Sequence, residues 1–154
     1  MLKLVFLLFA LPLFVFASSE LPAITEAKPI LTIEQKQLRA SFLGEWESLQ
    51  NTEGGNIRRT HLTRSADGRY VVRFEFSNHD GDIVNETTEY GDWGVSGDIY
   101  FTIFKGWLKN GTATPSDPYD AYNYDAYKIL RVTENTLVIK NLTSGNKFYY
   151  KRLR

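Results

Sequence analysis

From Gly44 onward, turn chemistry cuts the chain into short segments at nearly even intervals, and this spacing constrains the fold more than any other feature. Glu53-Gly54-Gly55, Ala66-Asp67-Gly68, Asp80-Gly81, Ser96-Gly97, Glu134-Asn135 and Ser144-Gly145-Asn146 supply residues that tolerate positive φ or bond to their own backbone. The segments between them, 45–50, 57–64, 69–77, 83–90, 92–96, 99–106, 124–132, 136–142 and 147–153, read as strands. Many short strands with hardly any helix predict an antiparallel sandwich or barrel. One short helix is expected at about 33 to 42. Thr32-Ile33-Glu34-Gln35 matches a capping box, and Ile33, Leu38, Phe42 and Leu43 follow at roughly helical spacing. The stretch 107–123, rich in Gly, Pro, Thr and Asp, reads as a long loop, and so long a connection in a compact domain points to function or mobility.

The region before this domain reads as an export signal. Lys3 precedes an apolar run, Leu4 to Phe16, broken by Pro12 and ending in Val15-Phe16-Ala17, where small or branched residues suit a signal peptidase. The run is short for a bilayer span, so the reading is a signal peptide at 1–17 with no stable membrane anchor after cleavage; an uncleaved anchor is the alternative. A leader at 18–31 carries Pro22 and Pro29. The domain then occupies 32–154. Removing Lys3 leaves 17 basic against 18 acidic residues, a balance that suggests no affinity for nucleic acid or anionic membranes. The absence of cysteine removes disulfides, thiolate metal sites and thiol nucleophiles together, and favours a bacterial periplasmic or released protein. Asn-x-Thr sequons at Asn85, Asn110 and Asn141 matter only in a host that glycosylates.

Three stretches carry a family resemblance. Phe42-Leu43-Gly44-Glu45-Trp46 runs from a short helix into Gly-x-Trp on the first strand. Gly91-Asp92-Trp93-Gly94-Val95-Ser96-Gly97-Asp98-Ile99-Tyr100 repeats a Gly-x-Trp internally. Tyr127-Lys128-Ile129 and Asn135-Thr136-Leu137-Val138-Ile139 lead to a last strand bearing Arg152. The arrangement resembles the bacterial lipocalin-like, calycin-type domains, over about 32 to 154. The resemblance implies an up-and-down meander of about eight strands closed into a barrel. It also implies that Trp46 sits at the closed end with Arg152 laid across it, both in structural roles. The Thr-Asp-Tyr motif of longer lipocalins has no counterpart, so the resemblance carries no ligand identity.

Strand alternation bears on the interior. Tyr70, Val72, Phe74 and Phe76 alternate with Val71, Arg73 and Glu75, placing the aromatic face of 69–77 inward. A three-residue turn at 79–81 sets Glu86 opposite Phe74, whereas a two-residue turn sets Glu89 opposite Val72; Glu86 is the preferred inward residue. A three-residue turn at 66–68 points Arg58, Thr60, Leu62 and Arg64 inward, and the shorter turn points Arg59, His61 and Thr63 inward. A buried charge must be paired or wetted, so the interior is not a plain hydrocarbon core. Strand 99–106 is apolar on both faces and needs a cover on its outer one. The clustering of basic residues in 57–73 and acidic ones in 78–98 reads as cross-strand ion pairing on a wet face.

Catalytic constellations find little support. Gly94-Val95-Ser96-Gly97 lacks the spacing of a nucleophile elbow, and His61 and His79 fall in different hairpins. Asp117, Asp120 and Asp125 lack the oxygen spacing and central glycine of a calcium loop. The expectation is therefore a non-enzyme with no metal and no cofactor, a binding module for a small amphiphilic molecule. Its candidate ligand-binding residues are Arg58, Phe74, Glu86, Tyr100, Phe104, Trp107, Tyr119 and Tyr122. The alternative is a plugged barrel that binds an envelope protein through its loops. An interior of this width admits both.

Overall fold

The computed structural model describes residues 31–154. The expected signal peptide, and all of the leader but its last residue, lie outside the described residues. Helix α1 (Ile33–Ser41) opens with the expected capping box: the Gln35 amide donates to Thr32 Oγ1 (3.2 Å) and the Thr32 amide to Gln35 Oε1 (2.9 Å). None of its residues is buried. What the helix delivers to the core is Phe42, just past its end, which is fully enclosed.

Nine strands follow: β1 (Gly44–Asn51), β2 (Ile57–Arg64), β3 (Arg69–Ser77), β4 (Ile83–Ser96), β5 (Ile99–Lys109), β6 (Thr112–Pro115), β7 (Tyr124–Val132), β8 (Thr136–Asn141) and β9 (Lys147–Arg152). All pairings are antiparallel. β1 to β5 pair in sequence order, β5 continues to β7, β8 and β9, and β9 returns to β1 with Trp46 opposite Arg152. The result is a closed eight-stranded meander barrel, with β6 as an extra strand hydrogen-bonded to β5. Closure removes the exposed edges that an open sheet of this size must protect. This is the architecture that the sequence resemblance implies.

Two strand expectations are corrected. The segments 83–90 and 92–96 form one strand, β4, which runs through Gly91 with a register shift against β5 at Tyr90/Gly91. A side chain at Gly91 would place its Cβ 2.1 Å from the Ile103 carbonyl oxygen, so glycine here allows close approach rather than ending the strand. The stretch 107–123 is not a plain loop. β5 continues to Lys109, turns at Asn110-Gly111 with both φ positive (49° and 77°), and returns as β6 before a 3-10 turn at Ala121–Asn123.

Registers settle the orientation of the interior. Arg64 pairs with Tyr70 across the three-residue turn at 66–68, so Thr60, Leu62 and Arg64 point inward and are buried. In the next hairpin Ser77 pairs with Ile83, consistent with the three-residue turn, but a bulge then shifts the register so that Phe76 faces Asn85 and Val72 faces Glu89. Glu89 is therefore the inward glutamate. Glu86 lies opposite Glu75 on the outer face, which corrects the preference for Glu86.

Packing concentrates at the helix end of the barrel. The Phe42 and Tyr100 rings stack at 5.3 Å between centroids, and Trp93 joins them 6.3 Å from Phe42. Trp46 is fully enclosed; its indole N–H donates to the Phe42 carbonyl (3.1 Å), and the Arg152 guanidinium carbon lies 4.2 Å from the ring centroid. That guanidinium also donates to the carbonyls of Ser41, Leu43 and Glu134, tying the helix end and the β7–β8 turn to the last strand. On the outer face Arg59 and Arg73 pair with Glu47 and Glu75 (3.0 and 3.1 Å), with His61 between the two carboxylates. The outer face of β5 is not covered by the helix: Phe101 packs over Gly94 on β4 and stays partly exposed.

A half-open cavity inside the barrel

Away from the helix, the interior is not filled. A cavity of about 520 Å³ occupies this half of the barrel. Its inner walls are Leu62, Tyr70, Val72 and Phe74 from β2 and β3, Tyr100, Thr102 and Phe104 from β5, and Tyr127, Ile139 and Tyr150 from β7 to β9. Period-two alternation accounts for each set, since residues i, i+2 and i+4 of a strand share one face. Trp107 reaches the cavity from beyond Gly106, packing edge-on against Phe104 at 4.8 Å. The backbone there is compressed: Gly106 has φ 146°, and a Cβ would meet the Thr114 carbonyl oxygen at 2.1 Å.

The segment 116–123 forms the rim. The amide of Tyr119 donates to Asp117 Oδ1 and that of Tyr122 to Asp120 Oδ1, both at 2.9 Å, giving two successive Asx turns. Buried Asn123 donates from its side chain to the Asp117 carbonyl (2.7 Å), and the Ser116 amide donates to the Lys105 carbonyl (2.8 Å). These bonds fix the backbone, and Asp117 and Asp120 line the cavity. Asp125, at the start of β7, accepts from the Asn141 side chain (2.9 Å) and also lines the cavity.

Every charged residue lining this space is acidic: Glu89, Asp117, Asp120 and Asp125. None of the four is in an ion pair among the described residues. Burial raises the Glu89 carboxyl above its ordinary value, and the charge of Asp125 adds to the rise while Arg58 opposes it. Burial likewise raises the phenols of Tyr70 and Tyr127; it pushes Tyr150 up to about 12, with Arg64 pulling the other way. The tyrosines are therefore neutral hydroxyls at any physiological pH. The wall offers aromatic faces, neutral hydroxyls and carboxylates.

The two inward arginines are not among the residues lining the cavity. Arg58 donates to Gln50 Oε1 (2.5 Å), and its guanidinium carbon lies over the rings of Phe74 (5.4 Å) and Phe148 (5.6 Å). Arg64, 2% exposed, donates from Nε to the Tyr100 hydroxyl (3.1 Å) and lies over the Tyr100 ring at 4.6 Å; its Nη2 has no partner among the described residues.

Of the sequence candidates, Phe74, Tyr100, Phe104, Trp107 and Tyr122 meet at the cavity. Arg58 is not among the lining residues although its charge acts on Glu89, Glu86 faces outward, and Tyr119 projects into solvent at 94% exposure without lining the space. Sequence reasoning passed over Tyr70, Tyr127 and Tyr150 as site residues although strand alternation places each inward. It weighed Asp117, Asp120 and Asp125 only as metal ligands.

No protein-family model matches the sequence, and no curated protein matches it. Among solved structures, the crystal structure of a lipocalin-like protein from Bacteroides uniformis is similar to this chain at 16% sequence identity with a TM-score of 0.46, covering 73% of this chain and 99% of that chain.

Proposed function

We propose that the protein is an exported binding module that holds a small amphiphilic molecule in the half-open cavity of its barrel. The cavity itself carries the reading: about 520 Å³ lies within the size range of small-molecule sites, and its mix of aromatic faces with hydroxyls and carboxylates suits a molecule that has both an apolar body and a polar end. An interior filled by side chains, as the plugged-barrel alternative requires, would leave no such space. Export is the reading of Lys3, the apolar run Leu4 to Phe16 and Val15-Phe16-Ala17.

Native mass spectrometry of protein isolated from its own host tests both halves. The expected spectrum shows a chain beginning at Ser18 together with a population carrying extra small-molecule mass that disappears on denaturation. An intact Met1 in exported material would refute the export reading. A bare chain under native conditions, joined by failure to take up any amphiphile in titration, would refute the binding reading.

A further inference from the structure

We infer that the ligand of this cavity is a cationic amphiphile, an ammonium group on an alkyl or aryl body, with its charge held among Glu89, Asp125 and the rim carboxylates. The inference rests on the binding reading above and specifies its chemistry. Three observations carry it. First, the charged lining is of one sign, and no Lys, Arg or His among the described residues lines the space. Second, the remaining wall is aromatic, with Phe104 and Trp107 in edge contact and Tyr100 and Tyr127 at 5.4 Å between centroids; ring faces attract a desolvated cation and repel an anion. Third, Tyr70 and Tyr150 line the cavity while more than nine-tenths buried, and neither hydroxyl has a hydrogen-bond partner among the described residues. Neither oxygen is among the sealed, unpartnered polar atoms of the described residues, so both reach the open space and are available to a guest.

The carboxylates do not converge on a point. Among the described residues no three His, Asp or Glu side chains are grouped closely enough to hold a metal ion. A spread ring of acids around aromatic walls suits a bulky organic cation instead, which meets several carboxylates at once without dehydrating fully. The two inward arginines do not reverse the sign at the mouth. Arg64 lies over the Tyr100 ring, and Arg58, donating to Gln50 and lying over Phe74 and Phe148, acts on Glu89 without pairing with it, so four carboxylates face this one guanidinium.

Isothermal titration calorimetry with three probes of equal chain length separates the possibilities: decyltrimethylammonium, decanol and decanoate. The ammonium probe is expected to bind at least about tenfold more tightly than decanoate, with decanol between them, the preference expected of cation–π and carboxylate contacts together. Glu89→Gln and Asp125→Asn, two near-isosteric changes, should each lower the ratio of ammonium to decanol affinity by at least about threefold, with thermal melts followed by circular dichroism reporting an intact barrel in each variant. Decanoate binding as tightly as the ammonium probe would overturn the inference, and so would a preference that survives in both variants; either result leaves the cavity a binding site. Failure of all three probes would overturn the inference together with the binding reading beneath it.

Discussion

Trp46 offers the sharpest test of how the barrel holds itself closed. Trp46→Ala removes a fully enclosed indole from the seam where β1 meets β9. Deleting a buried aromatic of this size costs about 3–5 kcal/mol. The upper part of that range is expected here, because the indole hydrogen bond to Phe42 and the platform beneath Arg152 are lost with the ring. At roughly 3–5 °C per kcal/mol for a domain of this length, the melting temperature should fall by about 12–20 °C. Urea titration followed by far-UV circular dichroism measures the change without relying on the tryptophan that was removed. Trp107→Ala, at a residue 45% exposed, serves as the control and should cost no more than about 1 kcal/mol. Introducing Arg152→Met into both backgrounds completes a double-mutant cycle, with an expected coupling of about 0.5–2 kcal/mol for the stacked pair. A loss below about 1 kcal/mol for Trp46→Ala, or a coupling that vanishes within error, would refute the closure argument.

Three further outcomes follow from the same geometry. Arg64 is buried without a carboxylate partner among the described residues, so Arg64→Met should lie within about 1 kcal/mol of wild type or above it in urea titration; a loss beyond about 2 kcal/mol would show that its ring contacts and its bond to Tyr100 outweigh the buried charge. The Glu89 carboxyl is raised above 4.5, so its contribution is fully present below that value and is lost as pH rises through the folded value; Glu89→Gln should therefore be the more stable protein at neutral pH in thermal melts, and a less stable variant there would contradict the burial argument. Gly91→Ala should cost about 2–3 kcal/mol through collision with the Ile103 carbonyl and the Tyr70 ring, whereas Gly54→Ala, with open space around it, should change stability by no more than about 0.5 kcal/mol in the same titration.

The barrel was legible because its punctuation is local. Gly68, with φ 89°, fixes a three-residue turn, and from that turn alone the inward set Thr60, Leu62 and Arg64 follows. The next hairpin shows where this logic fails. Its turn behaves as the residues suggest, but the register then shifts between Phe76 and Ser77, and the Ile83-Val84 pair on the facing strand carries none of the Gly or Pro signals that mark irregular backbone. One extra residue exchanged Glu86 for Glu89. Gly91 misled for a different reason: it was read as a strand break, whereas its lack of a side chain serves a close approach to β5 that only tertiary structure reveals. Asn110-Gly111 is the reverse case, a strong hairpin signal overlooked because its surroundings are rich in loop-forming residues. The cavity carboxylates are visible as residues but not as a group, since Glu89 on β4 and Asp125 on β7 come to line one space only when the barrel closes.

Eight strands enclose a space only just wide enough for side chains to fill, so a chain that leaves about 520 Å³ open must do so by its choice of inward residues. In the helix half those residues are Phe42, Trp93 and Tyr100, whose rings pack together, and Trp46, whose indole bonds to the Phe42 carbonyl. In the other half the corresponding positions are Thr102, Glu89 and Asp125, too short or too polar to meet at the centre. Leucine or phenylalanine at those three positions would bury more apolar surface, and each buried methylene adds about 0.8 kcal/mol, so the open half costs stability that the packed half must offset. The rim is held apart by its own hydrogen bonds, from the paired Asx turns to the Asn123 amide, rather than by contact across the opening. Stability and vacancy are thus assigned to opposite ends of one barrel. Substitutions at Thr102 or Glu89 should alter what the cavity accepts at little cost in folding, whereas substitutions around Trp46 should do the opposite.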